Sequence, residues 1–253
     1  MKFLLIPVLV SSIFATELPI DYIETITTQN KIEPSGIAIN NGITYVISDN
    51  GRICNISIDS CVKLKKKIDM EGITFDNNNV MYVAQEGKDK LLKLSENLEI
   101  SAKYKVPREY NGRIILKKGG DGIEALTYLY TKANRKFFII SNQSDYIDTE
   151  DGSTIIKISI PAKQTKFRST ARIENVYNMQ YTDISGLFYK RGYLYVISDD
   201  NDKLLVYKEN TMEQIEEYEL PGEDQEGIFI KDNTLYIAQD SGNVLKIHLK
   251  FPI

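Results

Sequence analysis

The chain has 253 residues, with 31 Lys and Arg against 35 Asp and Glu for a formal net charge of −4, and with one histidine, two cysteines and no tryptophan. A chain of that length can bury a substantial core as one large domain or two small ones, and its mixed, slightly acidic charge excludes an electrostatic nucleic-acid footprint. The single histidine, His248, excludes multi-histidine zinc or iron sites and leaves little room for a histidine-based triad.

Lys2 precedes an apolar run from Phe3 to Val10, followed by Ser11-Ser12-Ile13-Phe14-Ala15. This pattern predicts a secretory signal peptide over residues 1–15, too short for a membrane span, with cleavage after Ala15. No cysteine stands at that junction, so a lipoprotein anchor is not expected. No later apolar stretch reaches membrane-spanning length. The mature chain, residues 16–253, is expected to be one exported, soluble, monomeric domain, periplasmic or secreted and peripherally associated with the envelope.

The alternation over residues 20–28 predicts a strand ahead of the first repeat. Strands are then predicted at 36–39, 44–48, 53–57 and 62–68, separated by turn residues such as Asn40-Asn41-Gly42 and Asp49-Asn50-Gly51. A second unit repeats the scheme at 72–75, 81–84, 90–94 and 99–106. Cys54 and Cys61 fall on two strands joined by a tight turn, a placement that favours a disulfide in an oxidising compartment over the alternative of two free thiols.

Two phrases recur along the chain. The first reads Glu33-Pro34-Ser35-Gly36-Ile37, Asp69-Met70-Glu71-Gly72-Ile73, Gly122-Ile123-Glu124-Ala125-Leu126, Asp183-Ile184-Ser185-Gly186-Leu187 and Asp224-Gln225-Glu226-Gly227-Ile228. The second follows each after a dozen or so residues: Tyr45-Val46-Ile47-Ser48-Asp49, Tyr82-Val83-Ala84-Gln85-Glu86, Phe138-Ile139-Ile140-Ser141-Asn142, Tyr195-Val196-Ile197-Ser198-Asp199 and Tyr236-Ile237-Ala238-Gln239-Asp240. A four-stranded antiparallel unit at this spacing predicts a blade, and the fold is all-β, a five-bladed β-propeller. The last unit has three strands, at 228–231, 234–238 and 243–249; the strand at 20–28 is expected to complete it and close the ring. A six-bladed ring would need a unit hidden around residues 107–120 or 159–182. Those gaps include two basic stretches, with Arg108, Arg113, Lys117 and Lys118 in one and residues 163–172 in the other, either phosphate-facing loops or solvated surface. The acidic insertion over 144–152 lacks the alternation of an EF-hand loop.

The aligned anchors form two columns. Ser35, Glu71, Glu124, Ser185 and Glu226 precede the glycine (alanine in the third unit), and Glu33, Asp69, Gly122, Asp183 and Asp224 stand two residues earlier, with Asp121 beside the exception. The second phrase changes in step, with Ser48 and Ser198 where the anchor is Ser and Gln85, Gln239 and Asn142 where it is Glu. Columns that vary together are expected to be neighbours across a strand pair. In a propeller the first strand of each blade lines the central channel, so Glu71, Glu124, Glu226, Glu33, Asp69, Asp183 and Asp224 are candidate ligands of an axial cation. Like charges about 7 Å apart at an effective dielectric of about 20 repel by roughly 2 kcal/mol per pair. Either a cation compensates or some carboxyls take up protons. All-oxygen donors favour Ca²⁺, then Mg²⁺. The alternative is that these carboxylates accept backbone N–H bonds between blades. Asp49, Glu86, Asp199 and Asp240, at the ends of the second strands, are expected to cap turns.

The order of anchors, Ser35-Gly36, Glu71, Gly122-Ile123-Glu124-Ala125-Leu126-Thr127-Tyr128, Asp183-Ile184-Ser185-Gly186 and Glu226-Gly227, resembles the SdiA-regulated family of bacterial envelope proteins across the whole mature chain. The resemblance implies a β-propeller at the cell envelope and brings no settled activity. Ala125 departs from the Glu-Gly usual there. More distantly the pattern is similar to the esterase-like phytase domain and to gluconolactonase-type propellers, which implies a central metal acting as a Lewis acid, held by Glu71, Glu124 and Glu226, with Asp69, Asp183 or Asp224 as general base. Three readings follow: a binding or scaffold propeller with a structural channel Ca²⁺, favoured by the near-equivalence of the units; a calcium-dependent hydrolase of phosphoesters or lactones; and an envelope interaction module. The expected partner is a small molecule or an envelope protein.

Overall fold

A computed structural model describes residues 15–28, 32–64, 68–117, 122–142, 144 and 152–253. The expected signal peptide, apart from Ala15, lies outside these residues, as do Lys118, Asp121 and most of the acidic insertion.

Each predicted unit is an antiparallel sheet. The first blade runs Pro34–Asn40, Ile43–Ser48, Arg52–Asn55 and Ser60–Lys63, and the second Met70–Phe75, Met81–Gln85, Lys90–Leu94 and Ile100–Lys105. The third blade uses Ile123–Lys132, Arg135–Asn142, Thr154–Pro161 and Arg172–Asn178, and the fourth Gly186–Lys190, Tyr193–Ser198, Lys203–Lys208 and Glu213–Glu219. The fifth takes Gln225–Lys231, Thr234–Gln239 and Asn243–Leu249 from the end of the chain and Ile20–Thr27 from its beginning. Several hairpin turns carry positive φ at both central residues, as at Asn41 (50°) with Gly42 (79°) and Arg191 (52°) with Gly192 (91°). That is the turn whose twist matches the flanking strands.

The innermost strands touch in cyclic order, first to second through to fifth and back to first. Both faces of every blade are therefore covered, and the apolar residues sort into five seams. Ile47, Ile53, Val83 and Leu92 fill the seam between the first and second blades; Tyr82, Leu91, Phe138 and Ile156 fill the next. Ile139, Ile155, Val196 and Leu205 join the third to the fourth blade, and Ile197, Leu204, Leu235 and Ile247 the fourth to the fifth. Ile37, Val46, Ala238 and Val244 close the ring. Burial on both faces is why the second strands read as unbroken apolar runs rather than alternating ones. The ring is five-bladed.

The long gaps hold other elements. Glu109–Tyr110 and Arg113–Ile114 form a small hairpin between the second and third blades. Arg168–Thr170, from the basic stretch ahead of the third blade's last strand, crosses to pair in parallel with Ile100–Lys105 of the second blade. Thr16–Glu17 pairs in the same way with Glu213–Glu219. Cys54 and Cys61 are direct cross-strand partners with Cα atoms 4.0 Å apart, and they are disulfide-bonded. Seams are also fastened by polar contacts: Thr74 Oγ1 accepts the Tyr128 N–H at 3.1 Å and Thr127 Oγ1 the Tyr189 N–H at 3.0 Å. Between the second and third blades, buried Lys136 donates to Asp76 and, at 3.0 Å, to the Tyr82 hydroxyl. No helix among the described residues is long and apolar enough to cross a membrane.

Candidate functional site

In four of the five blades the first repeated phrase forms a β-bulge. Strand partners jump from Met70–Gln85 to Gly72–Ala84, from Gln225–Gln239 to Gly227–Ala238 and from Pro34–Ser48 to Gly36–Ile47, which leaves Glu71, Glu226 and Ser35 as the extra residues. In the third blade the jump from Ile123–Asn142 to Leu126–Ile140 takes in Glu124 and Ala125. A bulge bends its strand and re-aims the unpaired side chain. The glycine that follows meets a neighbouring blade: a Cβ on Gly72 would stand 2.5 Å from Leu126 N, and one on Gly227 would stand 2.9 Å from the Gly36 Cα. The co-varying second column lies across from the bulge, as the paired variation predicts.

Just outside the bulge, the carbonyls of Asp69, Asp183 and Asp224 accept the N–H groups of Glu86, Asp199 and Asp240 at 3.2, 3.0 and 3.0 Å. One backbone bond thus sets the acid ending each second strand beside the acid opening the blade. The carboxylates crowd one mouth of the channel. Burial pushes the Glu71 carboxyl up to about 10, with the fields of Glu124, Asp69, Glu226 and Glu86 adding to it. Burial, then Asp183, Asp199, Asp240 and Asp224, pushes Glu226 up to about 8. Glu124 is held well above the usual range by burial and then by Glu86, Glu226, Asp183 and Asp69. Burial takes Asp199 up to about 6, against the N–H of Gln225 that its carboxylate accepts.

Asp69, Glu71 and Glu86, all half-buried, each bring a carboxylate oxygen within 4.8 Å of the others. Near Glu86 the side chain of Asp89 is 1% exposed. Arg108 engages its Oδ2, while Oδ1 has no hydrogen-bond partner among the described residues. A Cβ on Gly122 would lie 3.0 Å from Glu86 Oε1 and 3.2 Å from Asp89 Oδ1, so these oxygens flank the same small space. Three hard oxygen donors within 4.8 Å of one another fit a Ca²⁺ or Mg²⁺ ion and do not fit a softer metal.

Of the residues singled out by sequence, Glu71, Glu124, Glu226, Asp69, Asp183 and Asp224 share this mouth. Glu33 is exposed and is not among the principal charges acting on the three glutamates. Glu86 and Asp89 are additions. Glu86 reads in the sequence as a turn cap, and its only signal is its place in the repeat; Asp89 has none. The serine anchors act differently from the glutamates: Ser35 and Ser185 donate to the Met70 and Gln225 carbonyls of the next blade, each at 2.5 Å. Asp199, expected as a turn cap, instead links the fourth blade to the fifth through Gln225. Inward of the acids the channel narrows to a cavity of about 10 Å³ ringed by the anchor glycines and by Glu71, Ser185 and Glu226. Arg108 also donates to the Gly87 carbonyl at 3.0 Å, and Arg113 to the Asn178 amide oxygen, so the first basic stretch is tied to the propeller.

Fold and site together define a five-bladed propeller with carboxylates gathered at one axial mouth. The chain belongs to the phytase-like family, described as "Esterase-like activity of phytase", whose pattern matches residues 32–188. No match is found among curated proteins. Glutaminyl cyclase from Myxococcus xanthus is similar in structure, with a TM-score of 0.59 and 10% identity over 89% of this chain and 94% of that one. A catalytically inactive virginiamycin B lyase from Staphylococcus aureus, solved with quinupristin, has a TM-score of 0.50 and 13% identity over 90% of this chain and 99% of that one. At such identities the likeness shows the fold alone.

Proposed function

We propose that the acidic mouth binds Ca²⁺ and that the protein is a cation-dependent hydrolase of phosphoester or lactone bonds. The observation that carries this reading is the convergence of the Asp69, Glu71 and Glu86 carboxylates within 4.8 Å of one another. Membership of the phytase-like family supports the reaction class. Asp69, Glu71 and Glu86 would hold the ion, which when bound supplies Lewis acidity at a phosphoryl or carbonyl oxygen. Across the mouth, Asp183 or Asp224 would take a proton from an attacking water, and Glu124 and Glu226, held protonated in the cation-free protein, would give up their protons as an ion enters and add charge to its site. The exported, envelope-associated setting of the SdiA-regulated resemblance belongs to the same proposal; the Cys54–Cys61 disulfide supports an oxidising compartment.

A second reading, a binding or scaffold propeller with a structural ion, is favoured by the narrow channel behind the acids and by the serine bonds between blades. One experiment separates the two. Melting is followed with Ca²⁺, with Mg²⁺ and with excess chelator, for the native protein and for Glu71→Gln/Glu86→Gln, alongside turnover of p-nitrophenyl phosphate and a simple lactone. A site filled at 100 times its dissociation constant adds about 2.7 kcal/mol. A Ca²⁺-dependent rise that the double variant abolishes, together with Ca²⁺-dependent turnover, is the expected result. A rise without turnover leaves the scaffold; no rise removes the metal and the hydrolase with it.

A further inference from the structure

On the outer edge of the second blade, away from the axis, lies a groove of about 400 Å³ lined by Lys90, Lys103, Lys105, Arg168, Ser169 and Thr170. The register puts like charges directly opposite each other twice, Lys90 against Lys105 and Lys103 against Arg168, with Thr170 opposite Lys105. Lys103 and Lys105 are two residues apart, so all four cations stand on one face of three adjacent strands. Directly opposed like charges destabilise a sheet, and this protein keeps two such pairs although its net charge is negative.

The strand that supplies Arg168 is no part of the propeller repeat. It leaves the third blade, crosses the seam and adds itself to the second, held by the Lys103 N–H to the Phe167 carbonyl and the Ala171 N–H to the Lys105 carbonyl, both at 2.8 Å. Blunting a sheet edge with charge would account for Arg168 on the outermost strand. It does not account for Lys90, two strands further in. The carboxylate nearest to Lys90 in sequence, Asp89, is engaged by Arg108.

We propose that this groove is a binding site for a phosphate-type anion carrying at least two phosphoryl groups, with the Arg168 guanidinium taking one phosphoryl in its planar fork, Lys90 and Lys105 neutralising the other, and the Thr170 hydroxyl donating to an oxygen. The site is independent of a cation at the acidic mouth. The test is calorimetric titration of the full mature protein with sodium tripolyphosphate in excess chelator, at low and at physiological salt. Lys105→Gln/Arg168→Gln changes two exposed side chains and keeps the strand pairing; Lys231→Gln/Lys250→Gln removes the same charge elsewhere. The expected result is saturable binding that the first pair weakens at least about tenfold and the second leaves within about twofold, with a smaller salt dependence once the two contacts are lost. Absence of saturable binding at millimolar tripolyphosphate overturns the proposal, as does equal weakening by both pairs, which would mark a diffuse charge effect.

Discussion

Replacing Glu226 by glutamine should stabilise the cation-free protein, and only above acidic pH. In the folded state burial and four surrounding aspartates push the carboxyl up to about 8, from 4.5 unperturbed. Folding therefore takes up a proton at this residue. Its contribution is most favourable below pH 4.5 and is progressively lost as pH rises toward 8. At pH 7 the gap of about 2.5 pH units from the unfolded value corresponds to about 3 kcal/mol against folding. Glutamine binds no proton in either state and escapes that cost. At roughly 2–4 °C per kcal/mol for a chain of this size, Glu226→Gln should melt about 10 °C above the parent at pH 7 in chelator, with the difference vanishing near pH 4.5. The assay is a melting series from pH 4 to 8 on both proteins with chelator present, repeated with Ca²⁺, which should narrow the gap by neutralising the field. A constant offset at every pH, or a variant that melts lower throughout, would refute the electrostatic account of the mouth and leave Glu226 as a hydrogen-bonding residue.

Two further outcomes bear on the scaffold. Gly72→Ala forces a methyl against Leu126 N at 2.5 Å and Leu126 Cβ at 2.8 Å, so denaturant titration should show a loss of about 1–3 kcal/mol, with release of the Ca²⁺ response as the mouth shifts; an unchanged midpoint would mean that the blades slide freely. Lys136→Met strands the buried Asp76 carboxylate and should cost about 3–5 kcal/mol, whereas adding Asp76→Asn should recover much of it, as a double-mutant cycle would read.

Much of this molecule was legible in one dimension because the determinants of a blade are local. Short apolar runs, Asn-Gly turns and a fixed repeat spacing specify hairpins without reference to distant residues, and the unpaired strand at 20–28 answered the three-stranded last unit. The Cys54–Cys61 pairing was readable for the same reason, since a tight hairpin leaves few registers. Most of the channel acids could be placed as well, Glu33 excepted, because equivalent strands in a ring put equivalent residues near one axis.

What the repeat leaves undetermined depends on the closed ring. Glu and Ser occupy the same column, yet Ser35 and Ser185 fasten blades while the glutamates crowd the mouth, a division set by whether a side chain is long enough to reach past the next blade's carbonyl. Glu86 joins Asp69 and Glu71 only because a bulge and one backbone bond bring two strand ends together. Among the described residues Asp89 keeps one oxygen without a hydrogen-bond partner, because Arg108, from another loop, takes only the other. The Arg168 strand belongs by sequence to the approach to the third blade's last strand and by pairing to the second. No local pattern encodes that, because strand addition is chosen by which sheet edge the folded ring leaves within reach.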